Sequence, residues 1–211
     1  MVDILTKLSN KYRCDKSDKN HRYTPLYNKL FEEIRDKEFN FIEFGYGIGS
    51  SVKMWLEYFT KAKLISIDFG PISIEKQIVK YIKSGRLEYV QANQIDREYI
   101  KSNVLDKYKE FLFMIDDASH VAEDQQFTFN FCFPYVSNNG WYIIEDLKCK
   151  RGHNKKFSIK ADKTLEVLEN YKRTNKFESN ILTEEEDVKL TKNIKEITTI
   201  DKISFIRKSI K

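Results

Sequence analysis

Residues 39–51 read Phe-Asn-Phe-Ile-Glu-Phe-Gly-Tyr-Gly-Ile-Gly-Ser-Ser. An apolar run of strand length ends in three glycines at alternate positions. A helical pattern follows, with Val52, Trp55, Leu56 and Phe59 on one face. The chain holds only 7 glycines in 211 residues, so three within five carry information. Glycines at such a bend let the backbone approach a ligand closely, because no Cβ intervenes. A strand, a glycine turn and a helix in this order open an α/β fold with a mostly parallel sheet.

Working outward, β-rich and helical runs alternate. Strands are expected at 39–44, 63–68, 87–91, 111–115 and 141–144. Helices are expected at about 50–60, from Ser73 to Gly85, and at 96–108, 123–133 and 162–175. The continuous apolar run 111–115 has the character of a central buried strand. The runs 194–200 and 202–207, joined by little more than Asp201, read as an antiparallel pair at the sheet edge. Before the first strand, Leu5 and Leu8 open a short helix. Thr24 reads as an N-cap and Pro25 as a first helical residue, with Leu26, Leu30, Phe31 and Ile34 at helical spacing. The expected organisation is a helical cap over 1–38 and an α/β domain over 39–211. The acidic run 184–187 reads as a solvated turn.

Composition bounds the function. Apolar residues make up 41% of the chain, enough for a core that needs neither disulfides nor metal to fold. No stretch approaches the ~20 apolar residues of a membrane span, and the first residues lack a signal peptide's apolar region. Cys14, Cys132 and Cys149 form no CxxC pair and read as reduced thiols of a cytoplasmic protein. A net charge of +5 permits an anionic substrate without establishing nucleic-acid binding.

In open α/β sheets ligands bind beyond the carboxyl ends of the strands. Glu43, Asp68, Asn93, Asp116, Asp117, Glu145 and Asp146 stand at those ends. Asp68, closing the second strand, suits a pair of ribose hydroxyls, and Asn93 suits an adenine edge. Dinucleotide enzymes prefer GxGxxG, whereas here Ser50 follows Gly49. Glu43, two residues before the first glycine, suits a cationic ligand and opposes a pyrophosphate. S-adenosylmethionine carries a sulfonium and an ammonium group and no phosphate, so the electrostatics favour it over NAD. Asp117 and the pair Glu145-Asp146 end strands expected to be neighbours. Three carboxylates so placed need protonation, separation or a cation, and three oxygen ligands suit Mg²⁺ or a similar hard divalent ion. His120, three residues beyond Asp117, is placed to take a proton from a substrate hydroxyl.

These residues resemble a known family, the Mg²⁺-dependent, S-adenosylmethionine-dependent sugar O-methyltransferases of the macrocin and mycinamicin type. Asp15-Lys16 with His21-Arg22-Tyr23-Thr24-Pro25-Leu26-Tyr27 is similar to the family's DK…HxYTxxY motif. Glu43 through Ser51 with Met54-Trp55, Tyr58-Phe59 and Ala62 resembles its ExGxGxGxS…MW…YF..A signature. Asp116-Asp117-Ala118-Ser119-His120 resembles DDGSH. Phe133-Pro134 and Gly140 through Leu147 resemble FP…GGxYVIEDL. The resemblance implies a Rossmann-like class I methyltransferase fold with a seven-stranded sheet of order 3-2-1-4-5-7-6, strand seven antiparallel. It implies Asp117, Glu145 and Asp146 as metal ligands and His120 as catalytic base. The cofactor-binding set is Glu43, Gly45, Gly47, Gly49, Ser50, Ser51, Asp68, Asn93, Asp116, Tyr23 and Thr24, and His21 with Tyr23 and Tyr27 is placed to cover the cofactor.

The reading is an O-methyltransferase acting on a sugar hydroxyl of a surface glycan, a nucleotide-linked sugar or a glycosylated metabolite. A basic loop, 148–156, is placed to attract a substrate phosphate. The partner is then a small-molecule sugar acceptor. A homo-oligomer is left open, and membranes and nucleic acid are disfavoured. The alternatives are a methyltransferase of RNA or another small molecule, a non-catalytic subunit of the same fold, and an NAD-dependent dehydrogenase.

Overall fold

The computed structural model describes residues 2–72, 74–148 and 159–210. They fall into two compact units, 1–91 and 92–211. Seven strands form a sheet of order β3-β2-β1-β4-β5-β7-β6, the order that the family resemblance implies.

The first unit begins with α1 (Ile4–Lys11), capped by the Asp3 carboxylate on the Thr6 amide, and α2 (Thr24–Phe31). The structure moves the α2 cap by one residue. Tyr23 precedes the helix and Thr24 is its first member, because the buried Thr24 hydroxyl is bonded to that of Thr6 at 2.8 Å. Strand β1 (Asn40–Phe44) runs into the glycines, followed by α3 (Ser50–Tyr58) and β2 (Lys63–Asp68). Helix α4 (Lys76–Lys83) starts later than expected, the expected cap Ser73 lying outside the described residues. Strand β3 (Leu87–Gln91) closes the unit. β1, β2 and β3 pair in parallel. The apolar faces of α2, α3 and β1 meet in an aromatic cluster. Tyr27 stands edge-on to Trp55 at 5.1 Å, and Phe59 meets Phe31 and Phe41 at 5.8 and 5.4 Å. Such pairs each add about 0.5–1.5 kcal/mol beyond the area they bury.

The second unit opens with a helical stretch broken into α5 (Arg97–Ile100), a π turn (Lys101–Leu105) and α6 (Asp106–Tyr108). Strand β4 (Phe111–Asp116), α7 (Ala122–Cys132) and β5 (Val136–Ile144) follow. β5 extends further back than the apolar run alone suggested. Gly140 permits this, since a Cβ there would stand 2.4 Å from the Leu112 carbonyl oxygen. Helices α8 (Thr164–Thr174) and α9 (Glu184–Asn193) precede the antiparallel pair β6 (Ile194–Ile200) and β7 (Ile203–Lys208). The acidic run 184–187 is therefore the first turn of α9 and not a solvated turn. Acidic side chains suit a helix N-terminus, and Thr183 with Glu186 closes a capping box there. Phe129 anchors this core against Phe133, Tyr142 and Phe177 at 4.8, 5.0 and 5.5 Å.

Candidate functional site

In the first unit the chain bends through Gly45, Gly47 and Gly49, all at positive φ. Gly49 is the residue before α3, at φ +74°. A Cβ there would meet the Tyr46 hydroxyl oxygen at 2.6 Å, so both conformation and space demand glycine. Asp68 at the end of β2 pins this loop. Its Oδ2 accepts from the Tyr46 and Gly47 amides at 2.6 and 3.1 Å, and its Oδ1 accepts from the Gly70 amide at 3.0 Å. Ile48 and Phe69 flank it with 77% and 76% of their surface exposed. That is a costly placement for two apolar side chains unless something covers them.

Glu43, expected to face a cationic ligand, lies under the loop and is fully buried. Ser51 donates to its Oε2 and the Trp55 indole to its Oε1, both at 3.0 Å. The Lys16 ammonium, also fully buried, stands 3.9 Å from the same Oε1. Glu43 thus ties the start of α3 and the N-terminal segment to β1. The Lys16 carbonyl accepts from the Tyr23 and Thr24 amides at 3.0 Å each. This makes Lys16, Tyr23 and Thr24 one buried structure.

In the second unit, β4 and β5 run parallel with Asp116 opposite Ile144. The Glu145 amide adds a further rung to the Asp116 carbonyl at 3.0 Å. The residues just beyond both strands are therefore neighbours. One ligand atom from each of Asp117, His120 and Asp146 lies within 4.8 Å of the others, the group of this kind among the described residues. His120 Nε2 is 3.8 Å from Asp117 Oδ1 and 3.9 Å from Asp146 Oδ2. His120 and Asp146 both adopt left-handed backbone, at φ +56° and +54°. Non-glycine residues in that region are uncommon and persist where the surrounding structure holds them.

The convergence differs from the expected metal set in one member. Glu145 is buried and not part of the group. The two other carboxylates, with ligand atoms within 4.8 Å, repel by about 3 kcal/mol at an effective dielectric near 20. Hard carboxylate oxygens beside an imidazole nitrogen fit a divalent ion, Mg²⁺ on the oxygens alone or Mn²⁺ with the nitrogen as well.

Two residues important to this geometry were not singled out by sequence reasoning. Lys202 Nζ lies 3.2 Å from Asp146 Oδ1; the sequence showed it only as the start of an edge strand. Gln94 holds the turn 116–119. Its amide nitrogen lies 3.3 Å from both Asp116 oxygens, and its carbonyl oxygen accepts from the Ser119 amide at 2.9 Å. Asn93, the residue picked for an adenine edge, instead accepts from its own Ile95 amide at 3.2 Å. Asp116, expected among the cofactor residues, is fully buried. Burial pushes its carboxyl up to about 7, against the opposing bonds from the Ala118 amide and Gln94. The basic loop 148–156 lies, beyond Lys148, outside the described residues.

No family model matches the chain. Curated proteins do. It is 33% identical over 151 residues to the 8-demethyl-8-(2-methoxy-alpha-L-rhamnosyl)-tetracenomycin-C 3'-O-methyltransferase of Streptomyces olivaceus, covering 68% of this chain and 36% of that one. It is 29% identical over 150 residues to the mycinamicin VI 2''-O-methyltransferase of Micromonospora griseorubida, with the same coverage. The chain thus spans about a third of the length of these relatives. Among solved structures, MycE methyltransferase from the mycinamycin biosynthetic pathway, in complex with Mg and SAH, superposes with a TM-score of 0.76 at 22% identity. The match covers 99% of this chain and 55% of that one. The same enzyme with Mg, SAH and mycinamycin VI gives 0.75 at 23%, covering 98% and 55%.

Proposed function

For this homologue of the macrocin- and mycinamicin-type sugar O-methyltransferases, built on the class I methyltransferase fold, we propose S-adenosylmethionine-dependent, divalent-metal-assisted methylation of a sugar hydroxyl. The observation that carries the reading is the convergence of Asp117, His120 and Asp146 beyond two paired strands. An acceptor hydroxyl is a poor nucleophile until it loses its proton. When bound, S-adenosylmethionine supplies a methyl group on a cationic sulfur, and a divalent ion supplies positive charge that makes a nearby hydroxyl more acidic.

The chain's own residues do the rest. The loop 45–49, braced by Asp68 and by Glu43 beneath it, presents to the cofactor three glycines whose missing Cβ atoms permit close approach. Asp117 and Asp146 would hold the ion. His120 Nε2 takes the acceptor's proton, and the two carboxylates within 4 Å of it stabilise the imidazolium that forms. Asp116 and Gln94 stay behind the turn and fix its shape. The tetracenomycin relative's name specifies a rhamnosyl sugar on a small molecule, so a sugar of that kind is the first acceptor to try. Surface glycans and nucleotide-linked sugars come after it. No helix among the described residues is long and apolar enough to cross a membrane.

The test is calorimetric titration with S-adenosylhomocysteine, followed by methyl transfer to mycinamycin VI and to nucleotide sugars, with Mg²⁺ and with EDTA. Cofactor binding and metal-dependent methyl ether formation are expected. Absence of cofactor binding rejects the reading, and full turnover in EDTA rejects its metal part.

A further inference from the structure

We propose that Lys202 sets the strength of divalent-ion binding in the carboxylate cluster, by holding an oxygen of Asp146 that the ion must share or win. The inference rests on the reading of Asp117 and Asp146 as ion ligands and goes beyond it to the residue that tunes them.

Lys202 reaches the cluster from the turn between β6 and β7, and three features fix it there. The Lys202 carbonyl accepts from the Leu147 amide at 2.9 Å, which ties the turn to the residue after Asp146. The preceding Asp201 pairs with Lys148 at 2.6 Å, so the turn is clipped to the segment after β5 on both sides. Asp201 itself takes the left-handed conformation, φ +54°, that a tight two-residue turn requires. So anchored, the Lys202 ammonium stands 3.2 Å from Asp146 Oδ1, while Asp146 Oδ2 faces His120 Nε2 at 3.9 Å. The three side chains are mostly buried, with 27% of Lys202, 16% of Asp146 and 12% of His120 exposed.

The charge count follows. Asp117 and Asp146 bring two negative charges and Lys202 one positive, with His120 neutral or positive according to its proton. Lys202 removes one unit of the negative charge that a divalent ion entering this group would otherwise meet. The ion must also displace or share the ammonium on Asp146. Both effects weaken binding, and neither needs contact between Lys202 and the reacting atoms. Lys202 is thus a positioning and tuning residue. In this arrangement the ammonium stabilises the ion-free Asp146 carboxylate.

The readout is metal affinity, independent of turnover. Mn²⁺ is titrated into the full chain with S-adenosylhomocysteine present, and free Mn²⁺ is followed by its solution electron paramagnetic resonance signal. Lys202→Met, which keeps the stem and removes the charge, is expected to tighten Mn²⁺ binding by about fivefold or more at unchanged stoichiometry. Lys202→Arg, which keeps the charge, is expected to stay within about twofold of wild type. Equal affinity in Lys202→Met and wild type, or weaker binding in both variants, overturns the inference while leaving the ion site standing. Absence of Mn²⁺ binding by wild type overturns the inference together with the metal reading.

Discussion

In the proposed reaction, His120 is the residue on which the chemistry turns. Its left-handed backbone is a costly feature for a residue that merely caps a helix, and its Nε2 stands within 4 Å of two carboxylates. His120→Ala is expected to lower methyl transfer by roughly 10²–10⁴-fold, the usual worth of a positioned base. S-adenosylhomocysteine affinity should not change. A loss under tenfold in a steady-state assay would reject the assignment. Glu43 makes the opposite case, a buried charge whose work is structural. Glu43→Ala removes the buried carboxylate that stands 3.9 Å from the buried Lys16 ammonium and should cost about 3–5 kcal/mol in a urea unfolding experiment, the range for breaking a buried pair. The thiols offer a third check. Burial pushes Cys14 up to about 12 and raises Cys132 well above its ordinary value. Iodoacetamide at about pH 8 should therefore spare both in the native protein and label both in guanidinium, as read by peptide mapping, since thiolate is the reactive form. The convergence of Asp117, His120 and Asp146 was legible because these residues stand just beyond strand ends, whereas the bracing of the glycine loop by Asp68 was not. The role of Glu43 was not, because its partner Lys16 lies far off in sequence and a buried ion pair leaves no local pattern. Lys202 stayed hidden for the same reason, its contact with Asp146 being set by a turn.

At the scale of single elements, close backbone approach and capping decide what substitution will do. Gly140→Ala places a methyl 2.4 Å from the Leu112 carbonyl oxygen and 2.9 Å from that of Ser137. Backbone must shift to admit it, so the variant should lose at least about 1–3 kcal/mol, seen as a lower denaturation midpoint. An unchanged midpoint would mean that β4 and β5 do not pack this closely. In α9, Thr183 and Glu186 cap one another. Thr183→Ala should cost about 1 kcal/mol. Burial works against the charge on Glu186. The Thr183 amide, the Asn130 side chain, the Thr183 hydroxyl and Arg97 outweigh it and hold the carboxyl below its ordinary range. A group depressed on folding contributes stability that is present at neutral pH and is lost as acid protonates it in the folded state. Glu186→Gln should therefore be less stable than wild type near neutrality, and the gap should close on acidification to about pH 3. A gap that stays constant with pH would rule out the charge as its cause. This helix was missed in the sequence because its apolar stripe is thin, with Leu190 its buried apolar member. Its available signal was the Thr-x-x-Glu box. The strands were legible because apolar runs bounded by turns survive any tertiary context, whereas the π turn at Lys101–Leu105 has no signature in residue type.

Across the whole molecule, the two kinds of site sit in different stretches of chain. The glycine loop and Asp68 belong to the unit 1–91, the carboxylate cluster to 92–211. The sheet order was legible only through the resemblance, since strand periodicity gives strands but not their neighbours. The chain also spans 36% of its curated relatives, so the binding functions must be tested on these 211 residues and not inferred from longer proteins. Hydrogen exchange resolves the two sites separately. A ligand at a hundredfold excess over its Kd stabilises the form it binds by about 2.7 kcal/mol, so amides that exchange by opening its site should slow roughly a hundredfold. S-adenosylhomocysteine is expected to slow segments 43–51 and 68–70, where the Tyr46, Gly47 and Gly70 amides are already held by Asp68. Mg²⁺ is expected to slow 116–120 and 145–147, where backbone held in a left-handed conformation at His120 and Asp146 gains a reason to stay closed. Protection by Mg²⁺ in the glycine segments alone would move the ion away from Asp117 and Asp146. Protection by S-adenosylhomocysteine that bypasses 43–51 would leave three positive-φ glycines without the ligand that explains them.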